Sequence, residues 1–309
     1  MRKATTRALV FSSALCLACM ATEPALAYVR TVTSVGVPVW WRNPCVTMDF
    51  LLGSPPPDMT GDDYLQAARS AASTWSHPAL ACSGLAISIQ KTADTTADVA
   101  LDGRNFIVMR QNSWCDDTTS TDPSEPATCY PTNALAITTV FRNTSTGEIV
   151  QADTEVNAVN VFWADLVKNP SLASGSTADF QNMITHELGH VIGLAHPCFS
   201  AADTTRLDDN LGQPQLDCTD PDLPATVADA TMFPSVLMAN TSRRMLTPDD
   251  EQAACDIYPS SVTTCPSGES SGCAVAPSSS RSPGRGPPVA ASIALGLLAF
   301  LAASGLRRR

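Results

Sequence analysis

The sequence predicts an α+β domain, and three observations carry that reading. Several segments in the first half alternate apolar and small or polar residues, the period-two signature of strands. Three other segments begin at Ser or Thr caps, one of them with apolar residues at helical spacing. The composition, 44% hydrophobic and 16% charged residues, suits a folded body. At 309 residues the chain can form one large domain or two small ones.

The elements follow in order. Arg2, Lys3 and Arg7, the apolar run 8–20 and the small-x-small site Ala25-Leu26-Ala27 form a secretory leader over residues 1–27, so the exported chain is expected to begin at Tyr28. Residues 31–41 and 45–52 read as strands, the second ended by Pro55-Pro56-Pro57. Thr60 caps a helix whose Tyr64, Ala68, Ala71 and Trp75 share one face, and His77-Pro78 closes it. Residues 85–90 and 105–110 are short strands, and 112–131 is a polar loop. Strands over 134–142 and 148–156 are joined by a turn at 143–147. Ser176 with Asp179 resembles a capping box and opens a helix over 177–194. An acidic loop spans 200–224. Thr247-Pro248-Asp249-Asp250 then starts a last helix reaching Tyr258.

Charge bounds the partners. The net charge is −11, and between Tyr28 and Gly272 there are 11 Lys and Arg against 29 Asp and Glu. Such a surface repels nucleic acid and anionic lipid. Asp203, Asp208, Asp209, Asp217, Asp220 and Asp222 offer carboxylates to calcium, but they match neither an EF-hand loop nor a repeat, and a solvated loop is the better reading. Nine cysteines follow the leader, and export to an oxidising compartment implies that most are paired. Chain order suggests Cys45–Cys82, Cys115–Cys129, Cys198–Cys218 and Cys255–Cys265, with Cys273 left over, although spacing does not fix connectivity.

The domain is expected to occupy 28–260, followed by a Ser, Gly and Pro-rich linker at 261–288 that contains Cys273. Residues 289–306 carry no charge and Arg307-Arg308-Arg309 ends the chain, so the tail at 289–309 reads as a membrane anchor just long enough to span a bilayer. It is also similar to the myxobacterial-type C-terminal sorting signal, with Cys273 before an apolar span and a basic end. That resemblance implies cleavage of the tail and retention at the cell surface.

The chemistry concentrates in His186-Glu187-Leu188-Gly189-His190-Val191-Ile192-Gly193-Leu194-Ala195-His196, which holds three of the four histidines. Residues four apart on a helix share a face, so His186 and His190 can ligate one zinc ion. Gly193 breaks the helix and lets His196 supply a third nitrogen, leaving an open fourth position as in catalytic sites. Glu187 stands where a base is needed.

This string resembles the metzincin signature, and Thr231-Met232-Phe233-Pro234 resembles the Met-turn of its matrixin branch. Residues 147–153 and 246–258 resemble matrixin segments as well, so the likeness covers residues 28–259. It implies a twisted, mostly parallel five-stranded sheet with two long helices, and a small C-terminal subdomain carrying the Met-turn and the final helix. It further implies one catalytic zinc on His186, His190 and His196, Glu187 as general base, and Met232 beneath the metal. The substrate would be a protein or peptide bound as an extended strand by edge pairing, in a pocket shaped by residues 235–245, and the enzyme a monomer. Three features depart from the family. Pro197 follows the third histidine, the gap from His196 to Met232 is long, and only His77 remains for the second zinc site of many matrixins, which is expected to be missing. No cysteine-switch segment precedes the first strand. The expected function is thus a secreted or surface-anchored zinc endopeptidase. The alternatives are a zinc-retaining adhesion module without hydrolysis and a cell-wall peptide hydrolase.

Overall fold

The computed structural model describes residues 28–51, 58–76, 79–94, 98–116, 128–201, 203–261, 265, 289–295 and 298–300. In chain order the elements are β1 (Trp40–Trp41), β2 (Cys45–Leu51), α1 (Gly61–Trp75), β3 (Ala86–Thr92), β4 (Phe106–Arg110), β5 (Cys115–Asp116), β6 (Thr128–Cys129), β7 (Ala136–Asn143), β8 (Glu148–Asn157), β9 (Phe162–Ala164), β10 (Thr177–Asp179), α2 (Phe180–Val191), α3 (Ala225–Ala228), β11 (Ser235–Leu237), α4 (Pro248–Ile257), β12 (Val289–Leu295) and β13 (Leu298–Phe300). The architecture is α+β. Strands β3, β2, β4 and β8 run parallel, and β7 closes this five-stranded body antiparallel to β8. The short β1 pairs with β8, and β12 adds to the outer side of β7.

Helix α1 packs on α2 and β3, while α2 lies against β7 and β8. Thr60 caps α1 by accepting the Asp63 N–H, and Tyr64, Ala68, Ala71 and Trp75 are all buried. The start of α2 is pinned by Phe180, whose ring meets Tyr64 at 4.7 Å, Trp163 at 5.5 Å and Phe50 at 6.1 Å. All four aromatics are fully buried, and each contributes about 1.5–3 kcal/mol of apolar burial.

Several expectations are corrected. Residues 31–41 do not form one strand. Thr33 accepts the N–H groups of Gly36 and of Val37, and Gly36 takes a positive φ of 81°, so the chain folds back and only Trp40–Trp41 joins the sheet. Helix α2 begins three residues later than expected. Asp179 rather than Ser176 caps it by accepting the Asn182 N–H, and residues 177–179 pair with β9. The helix also ends at Val191 rather than at residue 194, because Gly193 turns the chain at a φ of 97°.

Two disulfides are as chain order suggests, Cys115–Cys129 and Cys198–Cys218, but the other two are Cys45–Cys265 and Cys82–Cys255. The fold explains the exchange. After α4 the chain runs beside residues 82–84, where Ser83 bridges Pro259 and Gly84 donates to the Tyr258 carbonyl. That course brings Cys255 to Cys82 and carries the chain on to Cys45 at the start of β2. Four disulfides fit an oxidising compartment. The leader at 1–27, the linker with Cys273, and His77 lie outside the described residues.

Of the expected tail, residues 296–297 and 301–309 lie outside the described residues. Among the described residues no helix is long and apolar enough to cross a membrane, and residues 289–295 and 298–300 are strands. Without a bilayer, backbone groups of an apolar segment are satisfied by pairing with a sheet edge, and the outer side of β7 provides one.

Candidate metal centre

Helix α2 sets the site. His186 and His190 lie one turn apart on it, and both are buried, as is Glu187 between them. The helix then stops in a Schellman motif. Gly193 N–H donates to the His190 carbonyl at 3.0 Å and Leu194 N–H to the Gly189 carbonyl at 2.9 Å. A side chain at Gly193 would be strained by its φ and would meet the Val39 carbonyl oxygen at 2.9 Å. This turn brings His196 back over the helix, with its ring 4.9 Å from that of His190 and 5.5 Å from that of His186.

Each imidazole is oriented through its Nδ1. His186 Nδ1 donates to the Thr231 carbonyl at 2.7 Å, and His190 Nδ1 to the Leu194 carbonyl at 2.9 Å. His196 Nδ1 faces Asp203 Oδ1 at 3.4 Å. The three Nε2 atoms are buried and have no hydrogen-bond partner. Burial, reinforced by the neighbouring imidazoles, pushes His186 well below its ordinary value and His190 down to about 3, so both stay neutral at pH 7. Buried nitrogen lone pairs without donors are costly unless something takes them. Ligand atoms of the three histidines lie within 4.8 Å of one another, and among the described residues they are the one such cluster. The trio could hold a metal ion, and its donor set fits one that prefers imidazole nitrogen.

The carboxylates of the acidic loop do not converge in that way. Asp203 turns to His196 and accepts from Ser200 N and Oγ, Asp209 accepts from Leu211 N and Gln213 N, and Asp217 pairs with Arg206. The loop braces the third histidine instead. Asp203 meets the His196 ring, and Gln215 donates to the His196 carbonyl at 2.7 Å. The Cys198–Cys218 disulfide closes this loop immediately beyond His196.

Met232 lies against α2 at Gly189, which stands between His186 and His190 in the chain. A Cβ added at Gly189 would fall 2.1 Å from the Met232 sulfur, so glycine there lets the turn approach the helix. That turn is held from the last helix. Asp250 accepts the Thr231 N–H at 2.9 Å and also completes the capping box of α4 with Thr247. Glu187 is held from the sheet: Thr138 on β7 donates to its Oε2 at 2.7 Å. A hydroxyl has one proton, so Thr154, 2.9 Å from Thr138, must donate inward along the chain.

A cleft of about 860 Å³ opens beside His190 and His196 and is also lined by Val140, Arg142 and Asp203. A smaller cavity of about 270 Å³ lies beyond the Met232 turn, among Phe233, Val236, Asn240 and Arg243. The structure thus brings together His186, His190 and His196, with Glu187 on the same helix and Met232 against Gly189. It adds Thr138, which no motif marks, and gives Thr231, Asp203 and Asp250 roles as supports of the site that their motifs did not suggest. No family model matches the chain, and no curated protein is similar to it.

Proposed function

We propose that the chain is an exported zinc endopeptidase of metzincin, matrixin-like type. The observation that carries the reading is the convergence of three buried, partnerless Nε2 atoms beside a buried glutamate. Nitrogen ligands and a Glu next to the first of them suit zinc. Zinc bound there supplies Lewis acidity and makes a water nucleophilic near neutral pH. Glu187 takes the proton of the attacking water on its carboxylate and returns it to the leaving amine. Thr138 keeps that carboxylate aimed during both transfers. The outer side of β7, which pairs with residues 289–295, is the edge whose N–H and C=O groups an extended peptide would use in their place, and the cavity beside β11 takes a side chain.

The test is hydrolysis of a broad peptide library by the zinc-loaded protein, beside its Glu187→Gln variant. Removing a general base costs about 10²–10⁴-fold in rate. The variant should retain metal and lose hydrolysis by that factor. Failure of the zinc-loaded protein to cleave any peptide bond would sink the proposal, and an adhesion module would then be the better reading.

A further inference from the structure

The outer side of β7 is already covered. Residues 289–295 pair with it antiparallel, from Val289 opposite Asn143 to Leu295 opposite Ile137. This places Ala294 opposite Thr138, the residue that holds Glu187. Three residues after Leu295, the chain pairs parallel with β11, Leu298 opposite Ser235 and Phe300 opposite Leu237. Strand β11 begins three residues after Met232. The tail therefore passes from a strand beside the base to a strand beyond the Met232 turn. Ser292 lines the same cleft as His190 and His196.

We propose that the tail strands 289–295 and 298–300 are a built-in occupant of the place of an extended substrate on β7, beside the cleft, which restrains the enzyme in cis until the tail is withdrawn. The proposal rests on the peptidase reading of the site. An extended substrate and the tail would compete for the same backbone groups of β7. The tail has the advantage, because tethering gives it an effective concentration that reaches about the millimolar range for short linkers. Occupancy of about nine-tenths lowers apparent substrate affinity about tenfold. The same apolar segment that could enter a bilayer is the one that covers the β7 edge beside the cleft, so delivering the tail to a membrane, or cutting it, would free that edge.

The test uses the full chain. Alternate N–H groups of an edge strand face its partner, so prolines at two successive positions remove a ladder donor whichever one faces β7. The double variant Ala291→Pro, Ser292→Pro should cleave a peptide pool with kcat/KM at least about tenfold above the unaltered chain, at equal zinc content. Both chains, each also carrying Glu187→Gln, are then titrated with a labelled peptide of residues 286–300 bearing two added lysines for solubility. The peptide should bind the double-proline chain saturably and at least about tenfold more tightly than the chain with its native tail, and a scrambled peptide should not. Equal binding to both chains, or binding no better than the scrambled peptide, overturns the proposal even if peptides are hydrolysed. If no chain hydrolyses any peptide while the binding difference persists, the peptidase reading fails and occupancy of the β7 edge by the tail stands.

Discussion

Replacing Thr138 with Val removes one hydroxyl and keeps the shape of the side chain. In the structure that hydroxyl donates to Glu187 Oε2 at 2.7 Å and accepts from Thr154 at 2.9 Å, with all three groups buried. A hydrogen bond to a charged group contributes about 1.5–3 kcal/mol. At about 1.36 kcal/mol per factor of ten, hydrolysis that depends on an aimed Glu187 should slow about 10- to 150-fold. The Thr154 hydroxyl loses its acceptor as well, which should lower stability by about 1–3 kcal/mol. Steady-state hydrolysis, bound zinc and urea unfolding separate the two effects. Thr138→Ser restores the hydroxyl and should recover most of the rate, while Thr154→Val, one bond further out, should cost less than Thr138→Val. Zinc content should not change, because Thr138 touches no histidine in the hydrogen-bond network described. A Thr138→Val protein with full zinc and a rate within twofold of the unaltered chain would refute the role given to this contact.

Other perturbations follow from the same geometry. Asp203→Ala removes the carboxylate behind His196 and should weaken zinc binding about 10- to 100-fold in a chelator competition, with little change in the fold. Gly189→Ala forces its new methyl against the Met232 sulfur, and thermal unfolding should report a loss of about 1–3 kcal/mol. Asp153 is fully buried, and burial pushes its carboxyl up from 3.8 to about 7. A raised acid is protonated in the folded state, so its stabilisation is complete below pH 3.8 and is lost as pH rises through about 7. The ceiling is about 4 kcal/mol at about 1.36 kcal/mol per unit. Asp153→Asn should therefore flatten the fall in urea-unfolding stability of metal-free protein between pH 4 and pH 8.

Local chemistry explains which features were legible in the sequence. The ligands lie within eleven residues of one another, and helical spacing alone decides that His186 and His190 share a face. The capping of α1 by Thr60 and of α4 by Thr247 is equally local, and so is the closure of the short loops by Cys115–Cys129 and Cys198–Cys218. Apart from the turn at Thr33–Val37 and the end of α2 at Gly193, the missed features are set by distant partners. Asp179 outcompetes Ser176 as a cap because Arg244, 65 positions away, and the pairing of residues 177–179 with β9 fix the chain there. Cys82 meets Cys255 across 173 positions, since α4 returns to the loop before β3. Nothing about Thr138 distinguishes it from other threonines in alternating strands until β7 is placed next to α2.

The same distinction bears on how the site is kept in order. Each histidine is oriented by a group from a different part of the chain. Thr231 holds His186 and is itself held by Asp250 at the start of α4. The close of α2 holds His190, and its carbonyls are satisfied by Trp41, which donates to Val191, and by Tyr258, which donates to Ile192. The disulfide-closed loop holds His196. Cys82–Cys255 ties α4 to the loop before β3, so it supports His186 through Asp250. Reduction of the disulfides should therefore weaken zinc binding before the sheet unfolds. Competition for zinc during a reductant titration, followed beside the far-ultraviolet circular dichroism, would show metal released ahead of the loss of secondary structure. Simultaneous loss would mean that the histidines are held by the sheet and helix alone.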